Sequence, residues 1–462
     1  MIALGLSRKV HFVGVGGIGM SALAEMLHAE GYTVSGSDMA RSVVARRLAA
    51  LGVDVRYGHD ASHVGGAHLV VYSSAVGDDN PELRAARDEG IPCMRRAEML
   101  SEMIRSRYAV CICGTHGKTT TTAMMGKVLA DGGLDPTVLI GGIPRDAESN
   151  LRAGEGRVCV TEADEYDRSF LALWPSLVVL TNIEAEHTDC YRNLDELKDT
   201  FTEFCGRVPF HGAVLFCSDD PGAVEVTSRL HARVIGYGLD ERAEYRATEV
   251  ACEGRGRRFR VVCRGRDLGQ FRLDVPGLHN VRNALAAIAC AAELHVPAET
   301  IATSIASFSG VKRRMEPAGE AGGVAVYDDY AHHPSEIRAT VQTGRDMGYG
   351  RIIAAFQPHL YTRTRDFLDQ FAEALTEADR VYVLPIYAAR ERKIPGIDSR
   401  KIVERMKQKG YGSARFVSSA DRLAEYASVD ARKGDAVILM GAGDIGERAG
   451  EILGRLGRET NV

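Results

Sequence analysis

The sequence predicts an α/β protein of three domains, and three of its features support this. Short apolar segments typical of buried strands alternate with amphipathic helical segments along most of the chain. A glycine-rich turn stands between such a strand and such a helix at 14–19, at 114–119 and again at 441–446. A chain of 462 residues is also too long for a single hydrophobic core. We place the domains at residues 1–106, 107–312 and 313–462.

The composition excludes several classes of function. Hydrophobic residues make up 45% and charged residues 26% of the chain, and the net charge of −5 predicts no nucleic-acid surface. No apolar run approaches the roughly 18 residues of a membrane helix, and the first ten residues do not resemble a signal peptide. The ten cysteines form no C-x-x-C pair, so we expect neither a zinc site nor disulfides. These features predict a cytoplasmic protein that inserts into no membrane.

Residues 107–130 have the pattern of a nucleotide triphosphate site. An apolar strand-like segment leads into Gly114-Thr-His-Gly-Lys-Thr119, and a helical pattern follows. Glycines at such a turn let backbone N–H groups approach phosphates, while Lys118 supplies positive charge and the Thr119 hydroxyl can ligate magnesium. The general P-loop pattern requires glycine at position 113, where this chain has Cys113. The loop is therefore one residue shorter, but still predicts binding of ATP and Mg²⁺.

A G-x-G-x-x-G pattern follows the predicted strand 9–13 and precedes a helix. It predicts a diphosphate on Gly16, Gly17 and Gly19, with Asp38 near a ribose at the end of the next strand. A later strand carries two serines at its end. The pattern recurs at 441–446, so the motif alone leaves open whether the ligand is NAD. Either copy also fits a tight turn that only packs a helix against a strand.

Acidic residues follow two predicted strands of the central region. Glu162, Asp164 and Glu165 follow one strand, and a second acidic group that includes His187 follows the next. Carboxyl ends of parallel strands share one sheet edge, where the predicted P-loop also lies. Since magnesium prefers oxygen ligands, this edge predicts a metal or nucleotide site, with solvated loop acidity as the alternative.

The remainder of the chain suggests antiparallel hairpins at 245–274, a helix from 277, and a third α/β region from 323. Asn280 and Asn283 lie one helical turn apart, where amide groups can bind a base edge or cap the helix. Polar residues follow strands at 328–334 and 357–365. They favour binding of anionic substrate groups over zinc, because the two adjacent histidines lack further ligands at suitable spacing.

Taken together, these segments resemble the Mur ligase family from end to end. The motifs that carry the resemblance are Gly114–Thr119, Glu162–Glu165, Thr181–His187, His279–Asn283, Arg314–Glu316 and Asp329 onward. The resemblance implies an N-terminal Rossmann-like domain for a UDP-sugar, a central P-loop ATPase-like domain with a mixed sheet, and a C-terminal Rossmann-like domain for an amino acid. Within the family, Gly14–Met20, Asp328–Pro334 and Gln357-Pro-His are similar to the branch that joins L-alanine to UDP-N-acetylmuramate.

The resemblance also implies roles for individual residues. Lys118, Glu162 and His187 would be catalytic, and Thr119, Glu162 and His187 would hold magnesium. The residues implied for ATP are Gly114, Thr115, His116, Gly117, Lys118, Thr119, Thr120, Asn280, Asn283, Arg314 and Asp329. Those for the UDP-sugar are Gly16, Gly17, Ile18, Gly19, Asp38, Ser73 and Ser74, and those for L-alanine are Tyr330, His332, Arg363 and Arg365. A hinge near residue 310 would close the domains on the substrates.

Several alternatives stay open. The same fold in related ligases recycles whole peptides onto the same UDP-sugar, an NAD-dependent oxidoreductase would use only the N-terminal glycines, and a nucleotide sensor would not be catalytic. Several related ligases hold a second magnesium with a carbamylated lysine, to which Lys198 is merely the nearest candidate. The sequence leaves open whether the protein forms oligomers.

Overall fold

The computed structural model describes residues 8–186, 190–389 and 391–459, which form three β-sheets. Contacts within the chain group it into two compact units. The first comprises Met1–Thr248, Arg260–Phe271 and Arg282–Phe308, and the second comprises Glu249–Phe259, Arg272–Val281 and Ser309–Val462.

The N-terminal sheet belongs to the first unit and is parallel throughout. Its strands are β1 (Lys9–Val13), β2 (Thr33–Asp38), β3 (Asp54–Tyr57), β4 (Leu69–Tyr72) and β5 (Cys93–Arg95), in the order β3-β2-β1-β4-β5. Its helices are α1 (Ile18–Ala29), α2 (Val43–Ala50), α3 (Pro81–Asp88) and α4 (Arg96–Ile104). The predicted start of α3 is confirmed, because the Asn80 side chain accepts the Glu82 N–H at 2.9 Å and Pro81 opens the helix. Because every strand of this sheet is parallel to its neighbours, the carboxyl ends of the strands all lie at one edge.

The ten-stranded central sheet is mixed. Its strands are β6 (Tyr108–Cys113), β7 (Thr137–Leu139), β8 (Leu151–Arg152), β9 (Val158–Glu162), β10 (Leu177–Leu180), β11 (Ala213–Cys217), β12 (Val234–Gly238), β13 (Tyr245–Glu253), β14 (Gly256–Cys263) and β15 (Arg266–Leu273). They lie in the order β15-β14-β13-β12-β11-β10-β6-β9-β7-β8. The central strands β10, β6 and β9 run parallel and are almost entirely buried, as expected for strands covered on both faces. The sheet thus places the loops after β6, β9 and β10 side by side.

Helices cover this sheet, and their sequences explain their positions. They are α5 (Lys118–Asp131), α6 (Leu194–Cys205), α7 (Pro221–Ser228), α8 (Leu278–Glu293) and α9 (Ala298–Ala306). The alanine-rich middle of α8, residues 284–291, is fully buried, since small side chains allow close packing. A 3₁₀ segment, Tyr166–Ala172, follows β9 and contains Asp167 and Arg168 with positive φ.

The third sheet lies in the second unit. Its strands are β16 (Glu316–Ala321), β17 (Val324–Asp329), β18 (Ile352–Phe356), β19 (Arg380–Val383), β20 (Ala414–Phe416) and β21 (Ala436–Met440), in the order β16-β17-β21-β18-β19-β20. Only the β16–β17 pair in this sheet is antiparallel. The helices are α10 (Pro334–Asp346), α11 (Tyr361–Asp366), α12 (Leu368–Leu375), α13 (Arg400–Gln408), α14 (Ala420–Asp430) and α15 (Ala449–Glu459). The strands β17, β21 and β18 are parallel neighbours, so the loops that follow their carboxyl ends lie side by side.

The predicted fold class is therefore confirmed: an α/β protein with Rossmann-like sheets at both ends of the chain and a mixed sheet between them in sequence. The boundaries at 106/107 and 312/313 stay a prediction. Among the described residues, no helix combines the length and apolar character needed to cross a bilayer.

Candidate active site

The phosphate-loop candidate joins β6 to α5 and has two glycines in the left-handed region. Gly114 has φ of 122° and Gly117, which precedes the first residue of α5, has φ of 84°. The segment after β10 holds this loop in place: the Thr181 hydroxyl donates to the His116 carbonyl at 2.7 Å, and the Asn182 side chain accepts the His116 N–H at 2.9 Å. The loop is thus fixed by contacts more than 60 residues away in sequence.

Lys118 is the first residue of α5, and its ammonium group is held close to the loop. Its Nζ donates to the Gly114 carbonyl at 2.6 Å and pairs with the Glu165 carboxylate at 2.8 and 3.0 Å. Burial alone would lower the pKa of Lys118, but the carboxylates of Glu165 and Asp164 outweigh burial and raise it. Lys118 therefore stays charged and already has an anionic partner, which a phosphate would have to displace.

Thr119 and Glu162 form a pair of oxygen donors beside Lys118. The Thr119 hydroxyl lies 3.2 Å from Glu162 Oε2, and the Gly141 N–H donates to Glu162 Oε1 at 2.5 Å. Burial raises the pKa of Glu162, against the lowering effects of Gly141 and Lys118. The negative charge of Glu162 is thus only partly balanced by its neighbours in the protein. Together with the Thr119 hydroxyl, this carboxylate forms a set of oxygen donors that suits magnesium. The residues present therefore fit a Mg²⁺ ion.

The third predicted metal ligand, His187, lies outside the described residues. Its neighbours up to residue 186 are described, and Glu184 is anchored by the Thr115 hydroxyl, which accepts its N–H at 2.9 Å. Asn283, on α8, reaches the loop, since a Cβ on Gly117 would lie 2.7 Å from its Oδ1. Lys198 pairs with Glu225 at 2.5 Å, so its ammonium group has a structural partner of its own.

The N-terminal glycine loop follows β1 and faces the carboxyl edge of its sheet. The Ser37 carbonyl accepts the Gly14 and Val15 N–H groups at 2.8 and 2.9 Å. The Asp38 carboxylate accepts the Gly16 N–H at 2.8 Å and so anchors the loop. The same side chain was predicted to lie near a ribose. Ser73 follows β4 and lies near Gly14, whereas Ser74 is exposed and lines a cavity described below.

In the second unit, Asp329 ends β17 and is buried. Its carboxylate accepts the Met315 and Ala331 N–H groups, each at 2.7 Å. Burial raises the pKa of Asp329 to about 6, although the nearby Arg314 guanidinium lowers it. Arg314 also lies over the ring of Tyr330, 5.1 Å from its centroid. Asp329, Arg314 and Tyr330 thus form one cluster, which joins two residues predicted for ATP to one predicted for L-alanine.

The predicted amino-acid residues divide into a cluster and an outlier. His332 lies 5.3 Å from Tyr330 and 6.1 Å from His359, measured between ring centroids. An Nη atom of Arg363 is 3.4 Å from His359 Nδ1, so Arg363 joins this cluster. Arg365 is exposed and pairs with Asp366 at 2.6 Å, so the structure does not bring it to the other three. Asn280, at the start of α8, donates to the Pro276 carbonyl at 2.6 Å.

The C-terminal copy of the glycine pattern is filled by the protein's own side chains. Arg313 donates to the carbonyls of Gly441 and Gly443 at 2.8 and 2.9 Å. The Gln357 side chain accepts the Ile445 N–H at 3.2 Å, and a Cβ on Gly443 would overlap its Oε1 atom. This copy is therefore a packed turn, the alternative that the sequence left open.

Three polar residues near these clusters were not assigned by the sequence. They are Glu165, which pairs with Lys118, Glu336, which accepts the His332 N–H at 2.9 Å, and Arg96, which lies against Gly19. Glu165 belonged to the acidic run after β9, and only its partner was unknown. Glu336 was recognisable as the third residue of a helix that begins with Pro334, where carboxylates accept backbone N–H groups. For Arg96 no local signal was available.

Comparison with known proteins gives matches over nearly the whole chain. The model of the "Mur ligase family, catalytic domain" matches residues 9–108, that of the "Mur ligase middle domain" residues 112–291, and that of the "Mur ligase, glutamate ligase domain" residues 313–443. A Salinibacter ruber protein named UDP-N-acetylmuramate–L-alanine ligase is 48% identical over 446 residues, which cover 96% of this chain and 94% of that protein.

Solved structures give the same result. The UDP-N-acetylmuramate-alanine ligase of Thermotoga maritima superposes with a TM-score of 0.83 at 30% identity, covering 98% of this chain and 100% of that one. A murein peptide ligase of Psychrobacter arcticus superposes with a TM-score of 0.73 at 26% identity, covering 97% and 99% of the two chains.

Proposed function

Because this chain belongs to the Mur ligase family, we propose that it is an ATP-dependent ligase that joins L-alanine to the lactyl carboxylate of UDP-N-acetylmuramate. The products are UDP-N-acetylmuramoyl-L-alanine, ADP and phosphate, and the reaction belongs to the synthesis of peptidoglycan precursors. The observation that carries the proposal is the 48% identity, over 96% of this chain, to a protein named for this reaction. The geometry around Lys118 supports the ATP-dependent part of it.

The reaction proceeds in two transfers. The lactyl carboxylate attacks the γ-phosphorus of ATP, the bond to the bridging oxygen breaks, and ADP leaves with that electron pair. The amino group of L-alanine then attacks the acyl carbon of the acyl phosphate, phosphate leaves, and the nitrogen loses a proton. Both transfers need positioning and neutralisation of charge more than covalent help from the protein.

The residues around the loop would supply these two effects. Lys118 would leave Glu165 and neutralise the β- and γ-phosphates, while the N–H groups at the start of α5 would bind phosphate oxygens. Thr119 and Glu162 would hold Mg²⁺, which when bound withdraws charge from the phosphate oxygens. His187 keeps its proposed role as a further ligand of the metal.

The remaining roles follow the family. Gly16 to Gly19 would bind the UDP diphosphate, and Asn283 would approach ATP from α8, beside Gly117. In the second unit, Asp329 and Arg314 would serve ATP, with Asn280, and the cluster of Tyr330, His332 and Arg363 would bind L-alanine. Arg365 is a weaker part of this proposal because of its exposure and its pairing with Asp366. We also propose that the protein acts in the cytoplasm, where ATP and UDP-sugars are made.

The test is release of ADP and phosphate from ATP in the presence of UDP-N-acetylmuramate and one candidate acceptor at a time. We expect turnover with L-alanine and little with a tripeptide that begins with L-alanine. The rates with glycine and serine measure how strictly the site selects L-alanine. Turnover with the tripeptide alone would assign the chain to peptide recycling and would favour a likeness to the Psychrobacter arcticus protein, which is named a murein peptide ligase. Tight binding of NAD without any ATP hydrolysis would refute the ligase assignment altogether.

The variant Lys118→Ala separates an enzyme from a nucleotide sensor. We expect it to abolish ADP release while UDP-N-acetylmuramate still binds, because the lysine lies at the start of α5 and not at the N-terminal glycine loop. Lys127→Ala, on the same helix and paired with Asp131 at 3.0 Å, is the matched control and should retain activity. Full activity of Lys118→Ala would contradict the mechanism.

A further inference from the structure

Arg96 lies over the N-terminal turn of α1, at the predicted diphosphate loop. Its Nη1 atom is 3.1 Å, and its Cζ atom 3.5 Å, from the point that a Cβ on Gly19 would occupy. The guanidinium therefore rests against the backbone of the last glycine of the loop. Arg96 stands where β5 ends and α4 begins, so two regular elements fix its position at the carboxyl edge of the sheet.

The guanidinium of Arg96 has no protein partner in the part of the chain that the structure describes. Among the described residues, Arg96 makes neither a hydrogen bond nor an ion pair, whereas its neighbour Arg95 pairs with Asp167 at 3.0 Å. The first turn of α1 contains no acidic residue that could compensate it. Arg96 is only partly exposed.

This arrangement places positive charge against positive charge. The first N–H groups of a helix have no acceptor within the helix, and they give its N-terminus a partial positive charge. A guanidinium at the same point is therefore repelled unless an anion lies between the two. A phosphate can bind the helix N-terminus and the guanidinium at the same time, because it accepts backbone N–H groups and binds a guanidinium in a bidentate manner.

A cavity lies beside Arg96, lined by residues from the start of α4 and from the segment that follows β9. Its volume is about 180 Å³, and its lining includes Ser74, Arg95 and Arg96 together with the carboxylates of Glu98, Asp164 and Asp167. Asp164 directly precedes Glu165, the partner of Lys118. An anion bound by Arg96 at Gly19 would therefore lie at the wall of this cavity, which has room for further polar atoms of the same ligand.

We propose that Arg96 binds the sugar-bearing phosphate of the diphosphate in the UDP-sugar. The proposal rests on the proposed function, and it adds a residue that selects a diphosphate over a monophosphate. Arg96 is a binding residue for this substrate and takes no part in the transfers of the reaction.

The test is calorimetric binding of UDP, UMP and uridine to the wild type and to Arg96→Ala. Since hydrogen bonds to charged groups contribute about 1.5–3 kcal/mol, we expect UDP affinity to fall about 10- to 100-fold. Affinity for UMP should change by less than about threefold, and that for uridine should stay unchanged, because neither carries the second phosphate. Arg96→Lys should be intermediate, since an ammonium keeps the charge but not the bidentate geometry.

Arg46→Ala is the matched control. Arg46 is an exposed arginine of α2 in the same domain without an ion pair among the described residues, so its removal changes the net charge equally. It should leave UDP affinity within about twofold, which excludes a general electrostatic effect. Unchanged UDP affinity in Arg96→Ala, or equal losses for UDP and UMP, would overturn the proposal.

Steady-state kinetics distinguishes this inference from the proposed function. If the wild type turns over UDP-N-acetylmuramate, Arg96→Ala should raise the KM for this substrate at least tenfold, with kcat and the KM for ATP nearly unchanged. An unchanged KM would refute the role of Arg96 and leave the ligase function intact. If instead the wild type fails to turn over but binds UDP through Arg96, the ligase function fails and the role of Arg96 stands.

Discussion

The buried carboxylate of Glu82 gives the most quantitative prediction. Glu82 lies on α3 with its side chain fully buried beneath the N-terminal glycine loop, and it accepts the Ser37 hydroxyl at 2.7 Å. Three imidazole nitrogens surround it at 3.0–3.1 Å, those of His11, His59 and His63. Because Ser37 also supplies the carbonyl that holds Gly14 and Val15, this cluster supports the loop directly.

The size of the effect follows from the pKa of Glu82. Burial raises this pKa, but hydrogen bonds from His11 and Ser37 outweigh burial and lower it from 4.5 to about 2. At about 1.36 kcal/mol per unit, the ionised carboxylate contributes about 3.4 kcal/mol to the stability of this domain at pH 7. Since the folded-state pKa is the lower one, the contribution is complete above pH 4.5 and is lost as the pH falls through 2. At pH 3 about 1.4 kcal/mol should remain.

The perturbation is Glu82→Gln, whose amide replaces the protonated carboxyl in size. Hydrogen–deuterium exchange of the amides in β1 and β2 reports opening of this sheet locally, which matters in a chain of several domains. Relative to the wild type at the same pH, exchange in the variant should be about 300-fold faster at pH 7 and about 10-fold faster at pH 3. Glu89→Gln, an exposed change at the end of the same helix, should have no effect.

An acceleration that is the same at both pH values would refute this reasoning. It would mean that the variant costs packing or hydrogen-bond geometry, and that the charge of Glu82 contributes little. Exchange that is unchanged at pH 7 would refute the premise that the buried carboxylate stabilises the sheet at all.

Two further predictions concern the phosphate loop. Gly114→Ala would place a Cβ over the Thr181 hydroxyl at a φ of 122°, and the resulting strain of about 2 kcal/mol should lower kcat/KM for ATP about 30-fold. The control is Gly133→Ala, at a φ of 78° in open space, which should leave kcat/KM unchanged. Equal effects of the two variants would contradict the reasoning. Glu165→Gln removes the anion that competes with phosphate for Lys118. If the lost ion pair contributes about 1 kcal/mol, calorimetry should show about fivefold tighter binding of ATP. Weaker binding of ATP would contradict the proposed competition.

Local sequence patterns predicted the parts of this protein that depend on neighbouring residues. The strand, loop and helix around Lys118 follow from apolar runs and glycines within 25 residues, and the structure places them accordingly. The pairing of Lys118 with Glu165 could not be predicted, because it joins residues 47 apart whose proximity depends on the order of β6 and β9 in the sheet. The same applies to Arg96, which approaches Gly19 only through the neighbouring positions of β1, β4 and β5.

Arg363 and Arg365 show a different limit. The sequence grouped them because both follow β18, yet they lie two residues apart in the short helix α11, where side chains at that spacing point in different directions. Arg363 therefore reaches His359, and Arg365 turns to Asp366 at the surface. Recognising the helix from the sequence would have been enough to separate the two in space, while the role predicted for each stays a prediction.

The two glycine loops with the same pattern show why such a motif does not determine function. Each follows a buried parallel strand, and each precedes a helical segment. What differs is the strand beside the loop: β4 is followed by Ser73, a small residue near Gly14, whereas β18 is followed by Gln357, whose amide fills the C-terminal loop. In the N-terminal copy the Gly14, Val15 and Gly16 N–H groups also have acceptors, so an anion can bind only at the first N–H groups of α1, which no side chain caps. In the C-terminal copy Gln357 already accepts the corresponding N–H group, that of Ile445. The residue that decides between a binding loop and a packed turn therefore lies outside the motif, at the end of the next strand in the sheet.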